Sequence, residues 1–144
     1  MAGVLGLAGL RRDMAALPRR IDRAIAEPIE RLAREILAEA LARCPVATGA
    51  LRDTLRVVEG HLDDAGTIVL GSREGRSEWL VIAGDESGKG PVMYAAFVEF
   101  GTSSAPARPF LRPAIEAVRS RATREVADAV AGVLKAGSYE RAIA

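Results

Sequence analysis

Residues 94–114 read YAAFVEFGTSSAPARPFLRPA, and the chain is organised around this stretch, which gathers Tyr94, Phe97, Phe100 and Phe110 with three of the seven Pro, Pro106, Pro109 and Pro113. Tyr94, Phe97 and Val98 stand at i, i+3 and i+4, so a short helix over 94–100 places them on one face, which is expected to be buried. Gly101 is placed to end that turn as a left-handed cap. Thr102, Ser103 and Ser104 form a polar break. Each following proline removes a backbone donor and holds its predecessor towards extended geometry, so the segment is a stiff connector. Pro113 suits the first turn of a following helix, leaving Phe110 and Leu111 just ahead of it as an apolar anchor.

Phe110 is the residue singled out for assembly. Its backbone is held before it meets anything, so burying its side chain loses little entropy, and Arg108 and Arg112 flank it with charge-assisted donors. That is the arrangement of an interface hot spot; the competing reading is a ring that only fills its own subunit's core. Glu99, between Val98 and Phe100, is read as bonded to an arginine or to backbone donors at a turn or interface, in preference to a catalytic carboxylate.

Upstream, Ile21, Ile25, Ile29, Leu32, Ile36 and Ala40 step by fours and threes, which predicts an amphipathic helix over about 19–43. Pro28 lies inside the pattern and is read as a kink, a fresh helix start being the alternative. Pro45 ends the helix, and Thr48-Gly49 turns the chain into the next element. Segments 52–60 and 66–71 read as two strands separated by a polar turn holding His61, and 78–83, EWLVIA, as a third whose near-continuous apolar run implies burial on both faces or contact with a neighbour. Ile115, Val118, Ala122, Val126, Ala129, Val130 and Val133 mark a helix from about 113 to 135, ended by Gly137. The fold class expected is α+β over one domain, 1–144: a kinked N-terminal helix, an antiparallel meander of three or four strands, a short helix, and a long C-terminal helix packed on one sheet face. Segments 71–76 and 84–90 are expected to be flexible loops.

Composition narrows the function. Twenty basic residues stand against 19 acidic ones, a formal net charge of +1, so no global field draws the chain to nucleic acid or to an anionic membrane. The apolar opening 1–10 precedes Arg11 and Arg12 instead of following basic residues, and it is too short to span a bilayer; neither a signal peptide nor a membrane segment is expected. Cys44 is the one cysteine and His61 the one histidine. A triad, a Cys-His pair or a zinc site therefore lacks its parts, and no enzyme activity, cofactor or metal is expected. Cys44 is read as a packing residue and His61 as a solvated turn residue. Residues 84–90, GDESGKG, lack the spacing of a phosphate loop and carry two acids.

Two stretches resemble the small neck and tail components of long-tailed bacteriophages, a family of head–tail joining, tail-completion and tail-terminator proteins also carried by gene transfer agents. One is Tyr94-Ala95, then Val98 to Thr102, then Arg108 to Ala114; the other is the run from Cys44 to Arg52 with its Pro-x-x-Thr-Gly-x-Leu-Arg core. The resemblance covers about 20–135 and departs from the pattern at Ala47 and in an insert-like segment, 72–91. It implies a structural virion protein that forms a ring, with hexameric symmetry, at the head–tail junction. The implied partners are further copies of itself, the tail tube protein, a head-side connector or stopper, and DNA passing non-specifically through the lumen; no membrane is involved. Expected interface residues are Trp79, Tyr94, Phe97, Glu99 and Phe100, and then Arg108, Phe110, Leu111 and Arg112. The alternative function is a small DNA-binding or maturation protein acting during particle assembly.

Overall fold

The computed structural model describes residues 2–46, 49–63, 68–71, 76, 78–83 and 92–143. Two long helices dominate: α1 is Ala2–Arg43 and α4 is Leu111–Ile143, with a short turn α2, Ala50–Asp53, and α3, Val92–Phe100, between them. Three strands, β1 Arg56–Leu62, β2 Ile68–Leu70 and β3 Trp79–Ile82, complete an α+β fold with a three-stranded antiparallel sheet.

Both long helices exceed their expected bounds. Helix α1 starts at Ala2, not near residue 19, and runs through both Pro18 and Pro28, while α4 continues past Gly137 to Ile143. The cause is tertiary: the two helices lie along each other. Arg31 bonds Glu125 at 2.5 Å, Arg121 pairs with Glu35, and Gly137 lies beside Arg20. As one number rises the other falls, so the hairpin is antiparallel and each helix supports the other where propensity alone would let it fray. The partner of the α4 apolar stripe is thus α1 instead of the sheet, which corrects the expected packing, and it is α1 that bears on β3 and β1.

The sheet also differs from a meander, because β1 is central in the order β2-β1-β3. The first half of β1 pairs with β3, from Arg56↔Ile82 to Glu59↔Trp79, and the second half with β2, from Gly60↔Leu70 to Leu62↔Ile68. Where the partner changes, a Cβ on Gly60 would stand 2.6 Å from the Val69 carbonyl oxygen, so only glycine allows that approach. His61 is half-buried in β1 opposite Val69 instead of in a solvated turn. Residues 52–55 form the end of α2 and its exit, so β1 begins later than the sequence pattern suggests. Each residue of Trp79–Ile82 is half-buried, so the first of the two readings of its apolar run, burial on both faces, is not met within the chain.

The core sits where α1 ends, α4 begins and α2 and α3 close over them: Ala40, Cys44, Leu51, Leu55, Ala95, Phe110 and Ala114 pack together. Phe110 is 1 % exposed. Cys44 is a buried free thiol, as its packing role requires, and burial pushes its pKa up. The loop expected over 84–90 lies outside the described residues, as do Thr48 of the expected turn and 72–75. Among the described residues, no helix is long and apolar enough to cross a membrane, and no three His, Cys, Asp or Glu side chains gather as a metal site.

Candidate functional site

Helix α3 is rotated from its amphipathic reading, and of Tyr94, Phe97 and Val98 only Val98 packs against the core. Ala95 and Glu99, four residues apart, are its buried pair, whereas Tyr94 and Phe97 are 51 % and 47 % exposed and Phe100 is 69 % exposed. Small Ala95 lets the helix approach the core closely. A buried carboxylate is costly unless it is hydrogen-bonded, so the burial of Glu99 needs donors.

The start of α4 supplies them. Glu99 Oε2 accepts the backbone N–H groups of Phe110 at 2.8 Å and Leu111 at 2.9 Å, and Oε1 accepts that of Arg112 at 3.0 Å. These are first-turn donors that no helical carbonyl can reach, so Glu99 caps α4 from a different helix and places its negative charge at the positive end of the helix dipole. The Arg112 guanidinium adds an ion pair, with Nε 3.6 Å from Oε1, and also lies 5.0 Å from the centre of the Phe100 ring. Burial by itself raises the Glu99 pKa; the three amide donors and then Arg112 together outweigh it and hold the carboxyl below its ordinary 4.5. The sequence reading of Glu99, bonded to backbone donors and an arginine at a turn, matches this geometry.

Between Glu99 and its donors the chain makes a tight return. Gly101 takes φ 77°, and its N–H donates to the Phe97 carbonyl at 2.8 Å, the left-handed cap expected there. Thr102 then organises the polar break, its Oγ1 accepting the Ala105 N–H at 3.0 Å while its own N–H donates to the Ala105 carbonyl at 2.9 Å. The Arg108 N–H returns to the Val98 carbonyl at 2.7 Å. The connector is therefore tied to α3 at both ends.

This return leaves a groove of about 300 Å³ between α3 and the loops 44–46 and 102–108. Tyr94, Phe97 and Val98 line it from α3, Pro106 and Arg108 from the returning connector, and Pro45 and Val46 from the segment after α1. Val46, 63 % exposed, was missed as a site residue: a lone apolar residue after Cys44-Pro45 gives no periodic signal. Of the residues expected at an interface, the structure brings Tyr94, Phe97 and Arg108 together on this groove, and Phe100 and Arg112 together beside it. Leu111 is half-buried against the core. Trp79 lies on β3 opposite Glu59 and does not line the groove. The expectation for Phe110 is corrected: its ring fills its own subunit's core and in this conformation presents no surface to a partner.

The fold and the site thus describe an α+β chain with a long helical hairpin and a stiffly held aromatic surface. Over residues 8–101 the chain matches the family described as bacteriophage HK97-gp10, putative tail-component, and it belongs to that family. No curated protein and no solved structure matches it.

Proposed function

We propose that this chain is a structural protein of a phage or phage-derived particle that acts at the head–tail junction as a ring of identical subunits, six by the symmetry of such tails. In this reading it joins the tail tube protein to the head-side connector or stopper, or closes the tube, and works in the virion neck without catalysis. Tail-component family membership supports the structural part of this reading.

The observation that carries the assembly part is the α3 surface. Three aromatic side chains face solvent on a helix that is otherwise locked, through Glu99 to α4 and through Arg108 to Val98. Exposed aromatics on a rigid element lose little entropy when covered, and a ring needs such a heterologous patch on every subunit. Tyr94, Phe97 and Phe100 are the proposed contacts, with Arg108 and Arg112 at the rim and Trp79 and Leu111 as further contacts on flanking elements. Glu99 serves the interface indirectly, by fixing the helix that presents it. DNA passing through the lumen would meet arginines without sequence preference.

The test replaces Tyr94 and Phe97 together by Ser in the producing particle. The expected result is a folded subunit that no longer forms rings by light scattering, with particles whose heads and tails fail to join. Electron-microscopy density for the chain away from the neck, or normal tailed particles from the double variant, would overturn the proposal.

A further inference from the structure

A second groove lies at the other end of the hairpin, far from α3. It encloses about 790 Å³ along one seam between α1 and α4. Its floor is almost entirely small and apolar: Ala15, Ala16 and Ala24 from α1, and Ala129, Gly132, Val133 and Ala136 from α4. Arg12, Arg19, Arg20 and Arg23 line it, and among the described residues no carboxylate does. Asp13 lines the opposite seam.

The charges of the hairpin are distributed unevenly. Towards the core, Arg31, Arg34, Arg43, Arg119 and Arg121 each hold a carboxylate, within one helix or across the seam. Among the described residues Arg12, Arg19 and Arg23 have no such ion pair, although they lie on the same pair of helices. The near-zero net charge of the whole chain conceals this local excess of positive charge.

We infer that this groove is a docking site for an acidic amphipathic helix of a partner protein, which would complete a three-helix bundle at the distal end of the hairpin. Small floor residues allow a third helix to approach to the about 8 Å axis separation of closely packed helices. A Cβ built on Gly132 has nothing within 4 Å, so the floor is open where the incoming ridge would lie. From Arg12 to Ala24 the groove runs about 18 Å, the length of three to four helical turns. An apolar ridge would fill the floor while flanking Glu or Asp side chains meet the arginines, the helix-in-groove mode of recognition with charge selecting the partner. Nucleic acid suits the site less well: a duplex offers phosphates but no apolar ridge for a floor of alanine, glycine and valine. The inference stands on this groove alone and does not depend on ring formation through α3.

The test uses the full chain and three probes at physiological salt: a labelled synthetic helix of about five turns with a Leu/Ala stripe flanked by Glu, the same peptide with Lys for every Glu, and a mixed-sequence DNA duplex. Saturable binding of the Glu peptide alone is expected. The triple variant Arg12→Glu, Arg19→Glu, Arg23→Glu should weaken it about tenfold or more. Gly132→Leu should weaken it as much by raising the floor, with the charge unchanged and the circular dichroism intact. Failure of the Glu peptide to bind, equal binding of the Lys peptide, tighter binding of the duplex, or full binding by Gly132→Leu would each overturn the inference.

Discussion

Glu99 accepts the backbone N–H of Phe110 at 2.8 Å, across 11 residues of chain, while the Phe110 ring packs into the core. One contact therefore sets both the start of α4 and the seating of the largest buried side chain. Replacing Glu99 by Ala leaves three first-turn amides without their acceptor, and the cost should be about 2 to 4 kcal/mol in urea unfolding, from lost charged hydrogen bonds and helix-dipole stabilisation. Glu99→Gln keeps an acceptor oxygen but no charge and should lose about half as much.

The same contact gives the fold an acid-sensitive component. The folded pKa of Glu99 lies below its ordinary 4.5, so on acidification the unfolded chain takes up this proton first. The stabilisation is complete above about pH 4.5 and is lost as pH falls from there through the depressed folded value. The stability gap between the parent chain and Glu99→Gln should be widest near neutrality and should close with acidification below that point. A gap that stays constant down to pH 3 would contradict the assignment.

Phe110→Ala should destabilise the isolated subunit by about 3 to 5 kcal/mol, the usual cost of removing a buried phenylalanine. Thermal melting followed by circular dichroism reads this directly. A variant with an unchanged melt that fails only in assembly would restore the interface role read from the sequence.

How far the sequence was legible follows from where each signal lies along the chain. Gly101 was read correctly because its left-handed turn is decided by its immediate neighbours. The orientation of α3 was not, because periodicity turns the large aromatics inward, whereas the structure buries Ala95 and Glu99. Glu99 can be buried only because amides 11 to 13 residues downstream satisfy it, and no local pattern shows them. Phe110 failed for a related reason: a backbone held between prolines prepares a ring equally well for its own core or for a partner. Extension of α1 back to Ala2 and of α4 to Ile143 depends on their pairing, which neither helix announces alone. The distal groove has no local signal because, although its four arginines all lie on α1, its apolar floor is assembled from both helices of the hairpin.

Cys44 should be inert in the native chain. Its thiol is buried among Ala40, Leu51 and Phe110, and burial raises its pKa, so little thiolate forms at neutral pH. An aromatic disulfide reagent should label it only at the rate of unfolding, and adding urea to the transition midpoint should accelerate labelling sharply. Rapid stoichiometric labelling of the folded protein would show that the core opens locally.

Two glycine substitutions should act with opposite sign. Gly101 is fixed by conformation and by space: φ is 77°, and a Cβ would stand 2.8 Å from the Ala107 nitrogen and 3.0 Å from the Ala105 carbonyl oxygen, both backbone atoms that the Thr102 turn holds in place. Gly101→Ala should therefore cost about 1 to 3 kcal/mol from strain at φ > 0, with a further loss if the 102–108 return is displaced. Gly132 lies inside α4, and a Cβ there meets nothing within 4 Å, so Gly132→Ala should stabilise by about 0.5 to 1 kcal/mol through helix propensity and a less flexible unfolded chain. Urea titrations of both variants beside the parent give the comparison. If Gly101→Ala is neutral, the return is looser than its hydrogen bonds imply; if Gly132→Ala destabilises, the floor of the distal groove is already occupied by something in the free protein.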